Sequence, residues 1–317
     1  MNKARLRFLG TGTSQGVPII GCRCEVCTSP DLKDKRFRSA ALVEYRGLSI
    51  LVDAGPDFRM QMLDAGIRHL DAILLTHNHK DHTGGLDDVR ALNYIDQRVA
   101  EIYCEQLVLD TLKEEYEYAF TEDKYPGAPE WHVHLIDERP FIIYPDSEEK
   151  KLTWVRDLGY RYRLADGSLV STGNPLDKAE TADDKEFLGE DDGLRHNGVE
   201  IIPIRGLHDK MPVLGYRFGN IAYITDMSHI PDEEFKKLEG LEHVTLNTVG
   251  YRKHHSHFSL DEALEAADRI GAKNTWLTHL SHTFPVYEQF CRDLKALCES
   301  RRIRSCVRPA YDGLVIE

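Results

Sequence analysis

The chain has 317 residues, and 40 basic against 53 acidic side chains give it a formal net charge of −13. An acidic balance of this size argues against broad nucleic-acid binding, which needs a basic footprint. No apolar run approaches bilayer thickness and no leader precedes the first strand, so we expect a cytoplasmic protein without a membrane partner. The length suits one large core without a linker or internal repeat, so residues 1–317 are predicted to form a single domain.

Three of the seven cysteines lie close together near the start of the chain, at Cys22, Cys24 and Cys27. The Cys-x-Cys-x-x-Cys pattern by itself is also compatible with a redox motif or with chance. His282, far along the chain, would complete a Cys3His set. Such a set closes the tetrahedron around zinc, which indicates a structural rather than a catalytic ion. The other four cysteines are scattered, and we interpret them as ordinary buried thiols.

Residues 71–76 form a short apolar run that is typical of a buried strand. Four metal-ligating side chains follow it within six positions: His77, His79, Asp81 and His82. In extended chain, side chains two positions apart point the same way, so the first two histidines can hold one ion. The Gly84-Gly85 pair permits a sharp bend, which turns the second pair of ligands toward another ion. The spacing therefore predicts a dinuclear site with two divalent ions, zinc or manganese.

Further candidate ligands follow strand-like runs in the second half of the chain: His208, Asp226, His257 and His279. A sheet whose strands deliver such residues to one edge is a common way to build a site on an α/β scaffold. The remaining histidines without this setting are interpreted as surface or packing residues: His69, His132, His134, His196, His229 and His243.

An amphipathic helix is predicted from residue 260 to residue 270, because Ser259 and Glu262 have the spacing of a capping box. His257 precedes it and is our candidate for the acid that protonates the leaving oxygen, or for the group that holds a phosphate. Arg252 and Lys253 in the same loop either bind a second phosphate or are simply solvated. Other helices are expected after residue 56 and over residues 285–300. The last strand, residues 313–316, is predicted to close the second sheet.

The ligand order, His-x-His-x-Asp-His followed by His, Asp and His at strand ends, resembles that of the metallo-β-lactamase superfamily. The resemblance extends to residues 8–13, 51–55 and 310–313. It implies an α/β fold, a four-layer αβ/βα sandwich, with Asp53 as a buried carboxylate that supports the ligand loops. It also implies the following assignment: His77, His79 and His208 bind the first metal, Asp81, His82 and His279 bind the second, and Asp226 bridges both.

Within the superfamily, the chain resembles the cyclic phosphodiesterase of the bacterial carbon-phosphorus lyase pathway. The features that carry this resemblance are the Gly-Thr-Gly-Thr-Ser run, the cysteine motif and His282. This resemblance implies hydrolysis of a small cyclic ribose or nucleotide phosphodiester by a hydroxide shared between two metals. His257 and Asp81 are our candidates for catalytic residues. Two alternatives remain open: an RNA-processing nuclease similar to tRNase Z, and a non-catalytic metal-binding module. The acidic net charge argues against the nuclease.

Residues from about 121 to 198 are longer than compact members of the superfamily need, and we interpret them as an insertion. A hairpin with an Asp166-Gly167 turn is predicted within it, followed by a mostly acidic stretch over residues 177–192. The insertion is a lid, a homodimer contact or a neutral surface segment, and these alternatives stay open.

Overall fold

The computed structural model describes residues 3–121, 124–145, 152–155, 159–163, 169–171 and 198–317. Within these ranges the strands, in chain order, are β1 (Arg5–Gly10), β2 (Ala40–Tyr45), β3 (Leu48–Val52), β4 (Ala72–Leu74), β5 (Ala100–Cys104), β6 (Trp131–Leu135), β7 (Phe141–Ile143), β8 (Leu152–Val155), β9 (Gly159–Arg163), β10 (Leu169–Ser171), β11 (Val199–His208), β12 (Met211–Phe218), β13 (Ile221–Tyr223), β14 (His243–Asn247), β15 (Asn274–Thr278), β16 (Cys306–Pro309) and β17 (Val315–Ile316). The α-helices are α1 (Glu25–Thr28), α2 (Phe58–Ala65), α3 (Lys80–Thr83), α4 (Arg90–Asp96), α5 (Gln106–Glu115), α6 (Glu117–Phe120), α7 (Leu260–Ile270) and α8 (Tyr287–Arg301).

The chain divides into two compact units. Unit 1 contains residues 1–45 and 201–317, and unit 2 contains residues 46–200. The single domain expected from the chain length stays a prediction.

In unit 2, strands β3, β4, β5 and β6 lie side by side in that order and run parallel. Near-continuous apolar runs are typical of parallel strands, and Ile50, Ile73 and Ile102 are accordingly buried. Parallel strands end at the same edge of a sheet. Val52 and Leu74, the last residues of β3 and β4, are register partners, so the segments that follow them leave from one edge.

In unit 1, strands β16, β15, β14 and β13 run parallel in that order, and β12 and β11 continue the sheet antiparallel. Helices α7 and α8 contribute buried side chains, such as Leu264 and Phe290, to the apolar core that also contains Val244 of β14. The predicted capping box of α7 is present, because Ser259 Oγ accepts from Glu262 N–H and the Glu262 carboxylate accepts from Ser259 N–H. Because β13, β14 and β15 run parallel, the carboxyl ends of β13 and β15 lie at the same edge of the sheet.

The expectation that the last strand closes the second sheet is wrong. Strand β17 pairs antiparallel with β1, and its Ile316 lies opposite Leu6. Asp312 directs the chain there, because its carboxylate accepts hydrogen bonds from the Thr11 hydroxyl at 2.7 Å and from Phe37 N–H at 2.6 Å. The chain then turns at Gly313, where φ is +89°.

Strands β9 and β10 of the predicted insertion pair antiparallel, which confirms the expected hairpin. Its turn at residues 166–167 and the acidic stretch at residues 177–192 lie outside the described residues. The interpretation of the insertion as a lid, a homodimer contact or a neutral segment stays a prediction.

Candidate metal centre

The eight side chains that the sequence assigns to the centre divide between the two units. Unit 2 contains His77, His79, Asp81 and His82, and unit 1 contains His208, Asp226, His257 and His279. All except His257 lie at the end of a strand or shortly after one, as the sequence predicts.

A buried carboxylate organises the unit 2 group. Asp53 follows β3, is fully buried, and accepts hydrogen bonds from Thr76 N–H at 2.9 Å and from His82 Nδ1–H at 2.7 Å. The Thr76 hydroxyl also donates to it, at 2.9 Å. Burial raises the pKa of the Asp53 carboxyl, and the adjacent His82 imidazole opposes that rise. Asp53 thus fixes the chain at Thr76, next to His77, and at His82. This agrees with the supporting role expected for it.

The same hydrogen bonds assign the tautomers of two histidines. Because the Thr76 hydroxyl donates to Asp53, it accepts from His77 Nδ1–H at 2.9 Å. His82 Nδ1–H donates to Asp53 as well. In both imidazoles Nε2 therefore carries the lone pair that can ligate a metal. The rings of His79 and His82 lie 4.7 and 4.2 Å from that of His77, so these donors form one cluster.

Two glycines let loops of unit 2 pack backbone against backbone. Ala54 N–H donates to the His82 carbonyl oxygen, and the Ala54 carbonyl oxygen accepts from Gly85 N–H, each at 2.8 Å. A Cβ at Gly55 would lie 2.0 Å from the Asp81 carbonyl oxygen, and a Cβ at Gly85 would lie 2.1 Å from the Gly55 oxygen. The chain turns at Gly84-Gly85 as expected, but φ is −67° at Gly84 and −103° at Gly85, values open to most residues, so the turn itself does not require glycine. Close approach is what requires glycine here.

Asp226 is the centre of the unit 1 group. It is buried after β13, and its Oδ2 lies 3.1 Å from His279 Nδ1 while its Oδ1 lies 3.6 Å from His257 Nδ1. His208 Nδ1–H donates to the Asp226 backbone carbonyl at 3.0 Å, so its Nε2 is the ligating nitrogen. Ligand atoms of His208, Asp226 and His257 all lie within 4.8 Å of one another, close enough to hold one ion.

Three residues of the centre adopt backbone angles that L-residues rarely adopt. φ is +65° at Asp53, +58° at Asp226 and +56° at His279. The left-handed region costs a non-glycine residue on the order of 1 kcal/mol. Each residue turns the chain just after a strand, so the surrounding structure holds a strained turn that presents an ionisable side chain.

His257 lies between two of the predicted ligands of unit 1. Its ring centroid is 4.6 Å from those of His208 and His279. Its side chain is 13% exposed, and burial, reinforced by His279, lowers the pKa of His257 to about 2. Among the described residues, no group makes a hydrogen bond to its buried Nδ1. His257 therefore has a buried ring nitrogen that could face a cation or a substrate.

Two supporting residues were missed by the sequence analysis. Ser39 Oγ lies 3.1 Å from His279 Nδ1 and 3.0 Å from the Gly12 carbonyl oxygen, to which it donates. Asn247 exchanges two hydrogen bonds of 2.9 Å with the backbone of Met227, in the loop after β13. These contacts join positions far apart in sequence, so no spacing pattern indicates them.

The four predicted ligands of the structural ion converge within unit 1. The Sγ atoms of Cys22, Cys24 and Cys27 lie 3.3, 3.5 and 3.6 Å from His282 Nδ1. Ordinary Zn–S and Zn–N bonds in a tetrahedron place sulfur and nitrogen about 3.5 Å apart. The donor set therefore fits a zinc ion without rearrangement.

The thiols of this set differ in their electrostatics. The Cys27 backbone N–H lowers the pKa of Cys24 to about 6, because it donates to the Cys24 sulfur at 3.5 Å. Burial raises the pKa of Cys27 to about 11. A cation favours the thiolate form of both, so metal binding offsets the cost of the buried sulfur.

Hydrogen bonds connect the motifs near the two ends of the chain, residues 8–13 and 310–313, next to the segment that contains His279 and His282. Arg36 donates hydrogen bonds of 2.7 Å to the Thr11 hydroxyl and to the Ala310 carbonyl. Leu280 N–H donates to the Thr11 carbonyl at 2.8 Å. These contacts hold the turn that carries both His279 and His282, which gives the terminal motifs a positioning role.

The family model described as a beta-lactamase superfamily domain matches residues 49–155 and 174–280. The chain therefore belongs to the metallo-β-lactamase superfamily of metal-dependent hydrolases. This match confirms the predicted α/β metallo-β-lactamase fold. None of the described helices combines the length and hydropathy that crossing a membrane requires.

The chain is also similar to individual proteins that are named for different activities. A solved structure of a diphosphatase from the PhnP family is similar, with 31% identity and a TM-score of 0.73 over 99% of this chain and 96% of that one. An octanoyltransferase from Porphyromonas gingivalis is 35% identical over 98% of this chain, which spans only 51% of that relative. A ribonuclease Z from Agathobacter rectalis is 22% identical over 78% of this chain and 82% of that protein.

Proposed function

We propose that the chain hydrolyses a small phosphodiester, such as a cyclic ribose or nucleotide phosphate, at a centre with two divalent metal ions. The observation that carries this proposal is the orientation of three imidazoles. His77, His82 and His208 each donate Nδ1–H to an acceptor within their own unit, so each offers Nε2 as a ligand.

The proposed ligand assignment follows the order of the superfamily motif. His77, His79 and His208 would hold one ion, Asp81, His82 and His279 would hold the other, and Asp226 would be a ligand of both. Bound divalent ions neutralise phosphoryl oxygens and lower the pKa of water, so no serine or cysteine nucleophile is required. Imidazole with carboxylate suits zinc and manganese alike. Superfamily membership and the local hydrogen bonds of each donor group support this assignment.

His257 contacts the substrate in this proposal. Its ring is packed between two proposed ligands of unit 1, and it would donate a hydrogen bond to a phosphoryl or leaving oxygen. Asp81 is proposed as a ligand of the same ion as His82, since its Oδ2 lies 3.3 Å from His82 Nε2. Arg252 and Lys253 are exposed in the loop before His257 and supply local positive charge. A small anion needs only such local charge, even on a chain of net charge −13.

Diphosphate hydrolysis is the second candidate, because the similar PhnP-family structure is a diphosphatase at 31% identity. The same two-metal chemistry cleaves either type of P–O bond. Processing of tRNA is less favoured, because a net charge of −13 opposes a large polyanion.

The test is turnover of four substrates by the full chain: bis(p-nitrophenyl) phosphate, ribose cyclic phosphates, a nucleoside diphosphate and a precursor tRNA. Metal content is measured on the same sample, and His229→Gln, which changes an exposed histidine outside the centre, is the control. Hydrolysis of the small diesters with at least two ions beyond the structural zinc, and no tRNA cleavage, supports the proposal. Turnover of the diphosphate alone favours the second candidate. Bound metal without any turnover contradicts both and favours a binding module.

A further inference from the structure

A second cluster of metal-ligating side chains lies in unit 2, outside the candidate centre. Glu101 belongs to β5, and His132 and His134 belong to β6. Parallel pairing places Glu101 opposite His132 and Tyr103 opposite His134. Residues two positions apart in a strand share a face, so all three ligating side chains project from the same face of the two strands.

The three side chains converge on one point. His132 Nδ1 lies 2.9 Å from Glu101 Oε2, and His134 Nε2 contacts the same oxygen. One ligand atom from each residue lies within 4.8 Å of the others. Glu101 and His134 are buried, whereas the His132 side chain is 23% exposed. Solvent therefore reaches the cluster from the side of His132.

The chemistry of this cluster suits a transition-metal ion. Two imidazoles and one carboxylate are a known zinc donor set, in which a fourth position stays open to water. A buried carboxylate is costly unless a positive charge compensates it, and a divalent cation would do so. The Tyr103 ring stacks on His134 with centroids 4.4 Å apart, which holds the imidazole in place. Rigid neighbours of this kind keep ligands oriented.

The cluster is separate from the ligands that follow β4. Ile102 of β5 is the register partner of Ile73, which places Glu101 level with Ala72 at the amino end of β4. His77 lies beyond the carboxyl end of the same strand. The distance between Glu101 and His77 along the strand direction is roughly 16 Å, at about 3.3 Å per residue. One ion cannot serve both groups.

We propose that Glu101, His132 and His134 bind a zinc ion that is additional to the dinuclear centre and to the Cys3His ion. The ion joins β6 to β5 and keeps one coordination position open to solvent. This site does not depend on the proposed activity, because it shares no ligand with the catalytic centre.

The test is equilibrium dialysis of the full chain against Zn²⁺ at neutral pH, followed by elemental analysis. His132→Gln and Glu101→Gln should each bind one zinc ion per chain fewer than the wild type, while the control His229→Gln keeps the wild-type content. Equal zinc content in His132→Gln and the control overturns the proposal. The partly exposed His132 makes this variant the safer one if Glu101→Gln fails to fold.

A second measurement does not rely on variants. Crystals of the wild-type chain soaked in Zn²⁺ are measured at the zinc absorption edge. An anomalous peak bonded to Glu101, His132 and His134 supports the site, and the absence of such a peak overturns it.

Discussion

The Asp53 carboxylate accepts a hydrogen bond from His82 Nδ1–H at 2.7 Å, and both side chains are fully inaccessible to solvent. The substitution Asp53→Asn keeps the side-chain shape and tolerates the local φ of +65° but removes the negative charge. We expect the affinity for the catalytic ions to fall by about 10–100-fold, as for other residues that orient metal ligands. Calorimetric titration with Zn²⁺ measures this, and Asp64→Asn on the exposed face of α2 is the control. Unchanged affinity would contradict the role of Asp53.

Asp226→Ala should abolish turnover, because the proposed bridging carboxylate is a ligand of both ions. We expect the rate with bis(p-nitrophenyl) phosphate to fall by more than about 100-fold and the catalytic ions to be lost, while the Cys3His ion remains. Initial rates and elemental analysis on one sample measure both effects, with Asp293→Ala on the exposed surface of α8 as the control. Unchanged activity would rule out the dinuclear hypothesis.

Cys24→Ser should reduce stability before it reduces activity. Loss of one ligand weakens a closed structural site whose binding energy contributes to folding, so we expect the free energy of unfolding to fall by roughly 2–4 kcal/mol. Denaturant unfolding measures the loss, and Cys306→Ser, which alters an exposed thiol, is the matched control. A chelator should abolish the difference between wild type and variant. Equal stability of the wild type and Cys24→Ser in the presence of zinc would argue against a metal ion at the Cys3His ligands.

Gly55→Ala should be strongly destabilising. The new Cβ would lie 2.0 Å from the Asp81 carbonyl oxygen, which is backbone and cannot move aside alone. We expect a loss of at least about 3 kcal/mol in the free energy of unfolding. Gly240→Ala is the comparison, because φ is +73° there but no atom lies within 4 Å of the added Cβ. That change should cost only about 1 kcal/mol from backbone strain. Equal losses would show that close approach is not the reason for glycine at position 55.

His69 should make stability depend on pH. Its ring lies 3.1 Å from an Asp71 oxygen and 2.9 Å from an Asp96 oxygen, and these carboxylates raise the pKa of His69 from 6.5 to about 9. The charged form is favoured in the folded state, so its contribution is complete below pH 6.5 and is lost as the pH rises through about 9. The side chain is 39% exposed, so solvent screening limits the effect of His69→Gln to about 1 kcal/mol.

Urea unfolding of wild type and His69→Gln at pH 6 and above pH 9 measures this contribution. The difference between the two chains should be present at the lower pH and absent at the higher one. His229→Gln, at an exposed position, should show no such change. A difference that grows with pH would contradict the assigned ion pairs.

Much of the candidate centre could be predicted from the sequence because its parts are local. An apolar run followed by His77, His79 and His82 predicts both a strand end and a group of candidate ligands. The capping box at Ser259 and the cysteine motif are equally short patterns. The same local logic predicted the turn at Gly84-Gly85 but not the reason for glycine there, because spacing does not show which neighbouring backbone an added Cβ would contact.

The sequence by itself determined the superfamily and supplied the candidate metal ligands with their order along the chain, since these depend on short motifs. Only the tertiary structure decided which acceptor holds each Nδ1–H, where β17 pairs, and that Glu101 meets His132 and His134. Such contacts join segments separated by tens or hundreds of residues. Strand register and backbone packing create them, and neither leaves a periodic trace in the sequence.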